Sequence, residues 1–105
     1  MSNWIRIAAV SDCPPGSARE FVVEDRIVAL FNVDGEFHAL DGVCPHQGGP
    51  LGQGELKGCI ITCPWHGWQF DVTNGQNQTS ASLVHPSFTV KVGGEEIFVK
   101  LAEGE

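Results

Sequence analysis

Apolar and polar positions alternate with a period of two in short runs along both ends of the chain. Trp4-Ile5-Arg6-Ile7 predicts a first strand, which Asp12-Cys13-Pro14-Pro15-Gly16-Ser17 breaks with two prolines and a glycine. Glu20-Phe21-Val22-Val23 and Arg26-Ile27-Val28-Ala29-Leu30-Phe31-Asn32-Val33 are β-branched and aromatic runs separated only by Glu24-Asp25, a hairpin pattern. Asp34-Gly35 is a tight-turn signal leading into Glu36-Phe37-His38-Ala39-Leu40. Near the other end Phe88-Thr89-Val90-Lys91-Val92 alternates, Gly93-Gly94 turns, and Glu95 to Leu101 forms a last strand. No window of helical length carries an apolar period of 3.6 residues.

Between these flanks, from Asp41 to about Asn77, Gly, Pro, Cys, His and Trp crowd together. The pattern predicts an all-β fold, an antiparallel β-sandwich or small barrel, with a loop-rich subdomain at about 41–77 set into it. A length of 105 residues predicts one domain over 1–105. With 42% hydrophobic and 18% charged residues the composition is globular.

Six Lys and Arg against 13 Asp and Glu leave a net charge of −7. That excess repels nucleic-acid phosphates and anionic membranes, and it serves either attraction to a basic face on a partner protein or solubility alone. No run approaches the ~18 apolar residues that cross a bilayer, and Met1 to Val10 lacks a signal-peptide core. The expected compartment is a reducing cytoplasm, where four cysteines serve as metal ligands or buried thiols rather than as disulfides.

Chemistry concentrates in two similar loops, Val43-Cys44-Pro45-His46-Gln47-Gly48-Gly49-Pro50-Leu51 and Thr62-Cys63-Pro64-Trp65-His66-Gly67-Trp68-Gln69-Phe70-Asp71. Each offers one Cys and one His, as Cys-x-His, then 16 residues, then Cys-x-x-His. Thiolates suit iron held by sulfide, and imidazole is a neutral nitrogen donor. Two Cys on one iron and two His on the other would make an unsymmetrical [2Fe–2S] unit of raised potential. Gly48, Gly49 and Gly67 can supply positive-φ or close-approach positions around such a core, and Pro45 and Pro64 can stiffen it. Structural zinc is the competing reading, although zinc sites of this size usually pair Cys with Cys and His with His along the chain.

Cys44-Pro45-His46-x-Gly48 and Cys63-Pro64-Trp65-His66-Gly67-Trp68-x-Phe70-Asp71 resemble the cluster boxes of the Rieske-type [2Fe–2S] proteins. The resemblance spans nearly the whole chain and is nearest to the small soluble ferredoxins. It implies one [2Fe–2S] cluster per chain, with Cys44 and Cys63 on the inner iron and His46 and His66 on the outer one. It also implies an electron carrier with no catalytic site of its own, passing electrons from a flavin reductase to a terminal oxygenase. The alternative it leaves open is a Rieske-type small subunit of a nitrite reductase or other multicomponent oxidoreductase. A ring-hydroxylating catalyst would need a second iron site, and only His38 and His85 remain for it.

The respiratory branch of that family joins its boxes by a disulfide at places that match Gly49 and Trp65 here, so this chain cannot form the bridge. The same branch donates Ser and Tyr hydroxyls to cluster sulfurs. The Ser position matches Trp68, and the chain has no Tyr. Missing donors predict a potential near the low end of the Rieske range. Trp65, Gln47, Pro50 and Leu51 are candidates for a docking surface, and Trp68 for packing. Cys13, Cys59, His38 and His85 are expected to be structural. Asn77-Gln78-Thr79 matches a glycosylation triplet by accident.

Overall fold

The computed structural model describes residues 4–43, 49–65, 67–80 and 83–100. Nine strands run through them: β1 (Trp4–Ala9), β2 (Ala18–Val23), β3 (Arg26–Val33), β4 (Glu36–Asp41), β5 (Glu55–Lys57), β6 (Ile60–Thr62), β7 (Gln69–Asp71), β8 (Ser87–Gly93) and β9 (Glu96–Lys100). Six form one antiparallel sheet in the order β1-β9-β8-β4-β3-β2. Its outer strands, β1 and β2, approach each other, so the sheet curls into a nearly closed barrel. The turns at Glu24-Asp25 and Asp34-Gly35 follow the predicted positions, while the last turn falls one residue later than predicted, at Gly94-Glu95, because Gly93 still pairs with Glu96. Glu24, Asp25 and Asp34 all adopt positive φ, the geometry a two-residue hairpin demands.

β5, β6 and β7 form a second, three-stranded sheet inside the segment read from sequence as loops. Each of the three is only three residues long, too short for alternation to register.

The run of five buried residues in β3, Val28 to Asn32, explains how the two sheets meet. Val28 and Leu30 face a core with Ala8, Val23, Ala39, Phe88, Ile97 and Val99 inside the barrel. Ala29 and Phe31 face the opposite way, with Leu40, into a second core shared with Leu51, Ile61, Cys63, Phe70 and Val72. A strand buried on both faces reads as a continuous apolar run. β3 is therefore the wall between the barrel and the small sheet. Cys13 is fully buried in the barrel core and bonds to Ser17 and the Leu30 carbonyl, and burial pushes its thiol pKa up. Cys59 is half-buried at the edge of the second core. Both are structural thiols, as expected.

Candidate metal centre

Two hairpin-like stems carry the loops that the sequence singles out. The first leaves β4. Gly42 N–H donates to the Ile27 carbonyl at 2.8 Å, Leu51 N–H donates to the Gly42 carbonyl at 2.9 Å, and Val43 bridges Pro50. Gly42 is required here because a Cβ would overlap the Ile27 side chain. Asp41 Oδ1 accepts from Val43 N–H at 3.0 Å and fixes the direction in which the chain enters the loop.

The second stem is the β6–β7 pair. Thr62 lies opposite Gln69, Cys63 N–H donates to the Trp68 carbonyl at 2.7 Å, and Gln69 Nε2 donates to Thr62 Oγ1 at 3.1 Å. Gly67, at φ 75°, takes the left-handed position in this turn that a tight loop requires.

The stems meet at Gly49. A Cβ built there would lie 2.7 Å from Cys63 Sγ and 3.0 Å from Trp65 Cβ. Cys63 is 1% exposed, and its sulfur faces backbone from the first loop rather than solvent. A buried thiol set against a loop from which a second Cys and a His depart fits a cluster or metal ligand, and the thiolate is the donor that iron–sulfide or zinc requires. Cys44, His46 and His66, the other three expected ligands, lie outside the described residues. So do Pro45, Gln47 and Gly48. No group of three potential metal-binding side chains occurs among the described residues, which include only Cys63 of the four.

Other predicted positions sort clearly. Trp65 is 48% exposed beside Cys63, whereas Trp68 is half-buried against Phe70 at 6.4 Å between ring centroids. Leu51 does not line a docking surface. It is fully buried in the second core, because the short 3-10 turn Leu51–Gln53 plants it beneath the first loop. Pro50 is half-buried. Asn77 is 5% exposed and its Oδ1 accepts from Thr79 and Ser80 N–H, so the triplet serves a turn. His38 sits within β4 opposite Phe31, 3.6 Å from the Glu36 carboxylate.

His85 is buried, its Nε2 lies 2.7 Å from the Asp41 carbonyl, and its ring stacks at a tilt on Phe70 with centroids 5.3 Å apart. Burial lowers its pKa, against smaller opposing effects from its bond to the Asp41 carbonyl and from the Asp41 charge. Its place at the site had no sequence signal, because nothing near it repeats the Cys and His pattern.

The family model described as the Rieske [2Fe-2S] domain matches residues 3–89. The chain is 36% identical over 98 residues to the ferredoxin component of the alkene monooxygenase system of Xanthobacter autotrophicus, covering 92% of this chain and 80% of that one. It is 31% identical over 101 residues to the ferredoxin component of the naphthalene 1,2-dioxygenase system of Pseudomonas aeruginosa, covering 95% and 97%. Among solved structures, it matches a chain in the complex of reduced oxygenase and oxidized ferredoxin of carbazole 1,9a-dioxygenase. That match has a TM-score of 0.84 and 30% identity, over 98% of this chain and 100% of that one.

Proposed function

Because the chain belongs to the Rieske [2Fe–2S] domain family, we propose that it is a one-electron carrier that accepts electrons from a flavin-containing reductase and delivers them to a terminal oxygenase. Residues 1–105 act as one cluster domain, working in the cytoplasm. Cys44 and Cys63 hold the inner iron of a single [2Fe–2S] cluster, and His46 and His66 hold the outer one. When bound, the cluster supplies a one-electron couple whose potential is raised by imidazole on one iron. The observation that carries this reading is the Cys63 thiol, buried against Gly49 where the two ligand loops meet.

The chain's own residues then have distinct tasks. Gly49 lets the first loop close on Cys63. The Cys63–Trp68 backbone bond holds the second loop's turn, and Leu51 and Phe70 anchor the two loops in one core.

Docking would draw on exposed apolar side chains. Trp65 is 48% exposed, Val43 41% and Val22 72%. The exposed Glu24 and Asp25 close the hairpin beside Val22, which suits a partner face that offers Lys and Arg beside apolar groups. The names of the relatives favour an oxygenase system as the acceptor.

Iron and acid-labile sulfide analysis, with an EPR spectrum of the dithionite-reduced protein, tests the reading. Two irons and two sulfides per chain with a mixed Cys/His spectrum are expected. Zinc, or a spectrum of the four-cysteine type, would end it.

A further inference from the structure

Three segments converge behind the two ligand loops: the exit of β4, the strand β7, and the stretch 83–86 that leads into β8. One side chain among the described residues touches the first two from the third. His85 Nε2 lies 2.7 Å from the Asp41 carbonyl, and its ring packs on Phe70. Its backbone is seated equally firmly. His85 N–H donates to the Gly75 carbonyl at 2.7 Å, and Asp41 N–H donates to the Pro86 carbonyl at 2.9 Å. Gly75, at φ 81°, admits the His85 carbonyl where any Cβ would overlap it.

A carbonyl oxygen only accepts, so Nε2 carries the proton and donates. In the neutral ring Nδ1 is then a bare acceptor, and it is buried with no hydrogen-bond partner. An apolar side chain could fill this volume beside Phe70 without orphaning a nitrogen. What the imidazole adds is the donor to Asp41.

We propose that His85 is a positioning residue for the cluster: it ties the backbone three residues before Cys44 to the strand that begins three residues after His66, and so sets the separation of the two ligand loops. The proposal rests on the carrier reading for what the loops hold, and on the geometry alone for the tie. The tie is also sensitive to acid. A protonated ring would bury a charge and a second N–H with nothing to accept it, a penalty larger than its strengthened bond to Asp41 returns, so acid favours release of the ring. The charged group that acts on the ring is Asp41 on β4, paired with Arg26 on β3 at 3.8 Å; Asp71 on β7 has its carboxylate engaged by Thr73, and Glu36, at the far end of β4, faces His38.

The sign follows from the lowered pKa. The unfolded ring takes up a proton near its ordinary 6.5 and the folded ring only below that. The stabilisation is therefore complete above pH 6.5 and is lost as pH falls through the folded value.

The test compares the holoprotein with His85→Gln, which keeps a donor but cannot titrate, and with His85→Leu, which keeps volume only. Cluster loss to an iron chelator is followed by visible circular dichroism from pH 8 to pH 5, beside thermal melts of each protein. At pH 8, His85→Gln should release its cluster within about twofold of the wild-type rate, and His85→Leu about fivefold faster, the factor one net hydrogen bond carries. Below pH 6.5 the wild type should accelerate more steeply than His85→Gln.

Equal release rates for His85→Leu and wild type, or a His85→Gln pH profile that parallels wild type, would overturn the proposal. If His85→Leu fails to fold, the His85→Gln profile still decides. A wild-type protein without iron would sink the carrier reading. The melts would still judge the tie, because wild type should lose melting temperature below pH 6.5 faster than His85→Gln does.

Discussion

Gly49→Ala adds one methyl group at the point where the loops meet, and the structure states what it would strike. The new Cβ would sit 2.7 Å from Cys63 Sγ and 3.0 Å from Trp65 Cβ. Neither neighbour is the free end of a flexible chain, because the thiol is buried and the Trp65 Cβ is fixed to its backbone. Gly49 is not in the left-handed region, so backbone strain contributes nothing. Reduced freedom of the unfolded chain even offers about 0.4–1 kcal/mol of stabilisation. Overpacking costs about 1–3 kcal/mol, so the net loss centres on about 1.3 kcal/mol, or a fall in melting temperature of roughly 5–10 °C for a domain of this size. Gly52→Ala is the control. Its Cβ would meet the Arg19 carbonyl at 2.8 Å and Glu20 Cβ at 3.0 Å, equally crowded but against β2 rather than against Cys63. Melting curves should fall for both variants, while the visible circular dichroism and EPR of the cluster should change only for Gly49→Ala. A Gly49→Ala protein with wild-type spectra would refute Cys63 Sγ as a ligand packed on the first loop.

Cys44→Ser and Cys63→Ser should each abolish the visible absorption of the cluster and lower the melting temperature together, since metal binding and folding are coupled; an intact spectrum in either variant removes that residue from the ligand set. A redox titration should give a midpoint near −150 mV rather than +300 mV, at about the lower limit of the Rieske range, because Trp68 and the absence of Tyr leave cluster sulfurs without hydroxyl donors; a clearly positive midpoint contradicts this. The reduced protein should pass electrons to cytochrome c, a basic one-electron acceptor, at a rate that falls with added salt. Glu24→Gln with Asp25→Asn should slow that transfer about twofold at low ionic strength, the scale of weakened surface charge pairs, with the midpoint unchanged. A rate indifferent to both salt and these substitutions would remove the acidic hairpin from the docking face.

The barrel was legible because its strands are long enough to show a period and are punctuated by residues with specific turn chemistry. Asp34-Gly35 marks one hairpin, Gly93-Gly94 marks a second to within one residue, and Glu24-Asp25 marks a third only through the apolar runs on either side. The small sheet was not legible. Ile60–Thr62 and Gln69–Asp71 pair as stems for a loop, and their register is set by tertiary contact rather than by alternation. The candidate site was legible through ligand chemistry, since Cys and His recur at short spacing, and this says nothing about support. Leu51 looked like a surface neighbour of His46, yet it is a core residue, because a 3-10 turn rotates it inward. His85 looked like a bystander, yet it contacts both supporting strands, Asp41 across 44 residues of sequence and Phe70 on β7. Separation in sequence hides such a contact from any local pattern.

The pairing of Gly49 with Trp65 bears on how the two loops are held together. The respiratory branch, from which this chain departs, joins its boxes by a disulfide at the matching places, and here those places are in contact but carry no sulfur. Backbone and packing do the joining instead. Gly49 seats against Cys63 and Trp65, and Leu51 and Phe70 share one core. Burial of apolar surface does not depend on redox poise, whereas a disulfide would be at risk in a reducing compartment. A carrier whose own chemistry is electron transfer gains from a scaffold that electrons cannot cut. Thiol reductants should therefore leave its melting temperature unchanged, and the described cysteines away from the loops, Cys13 and Cys59, are accordingly free thiols.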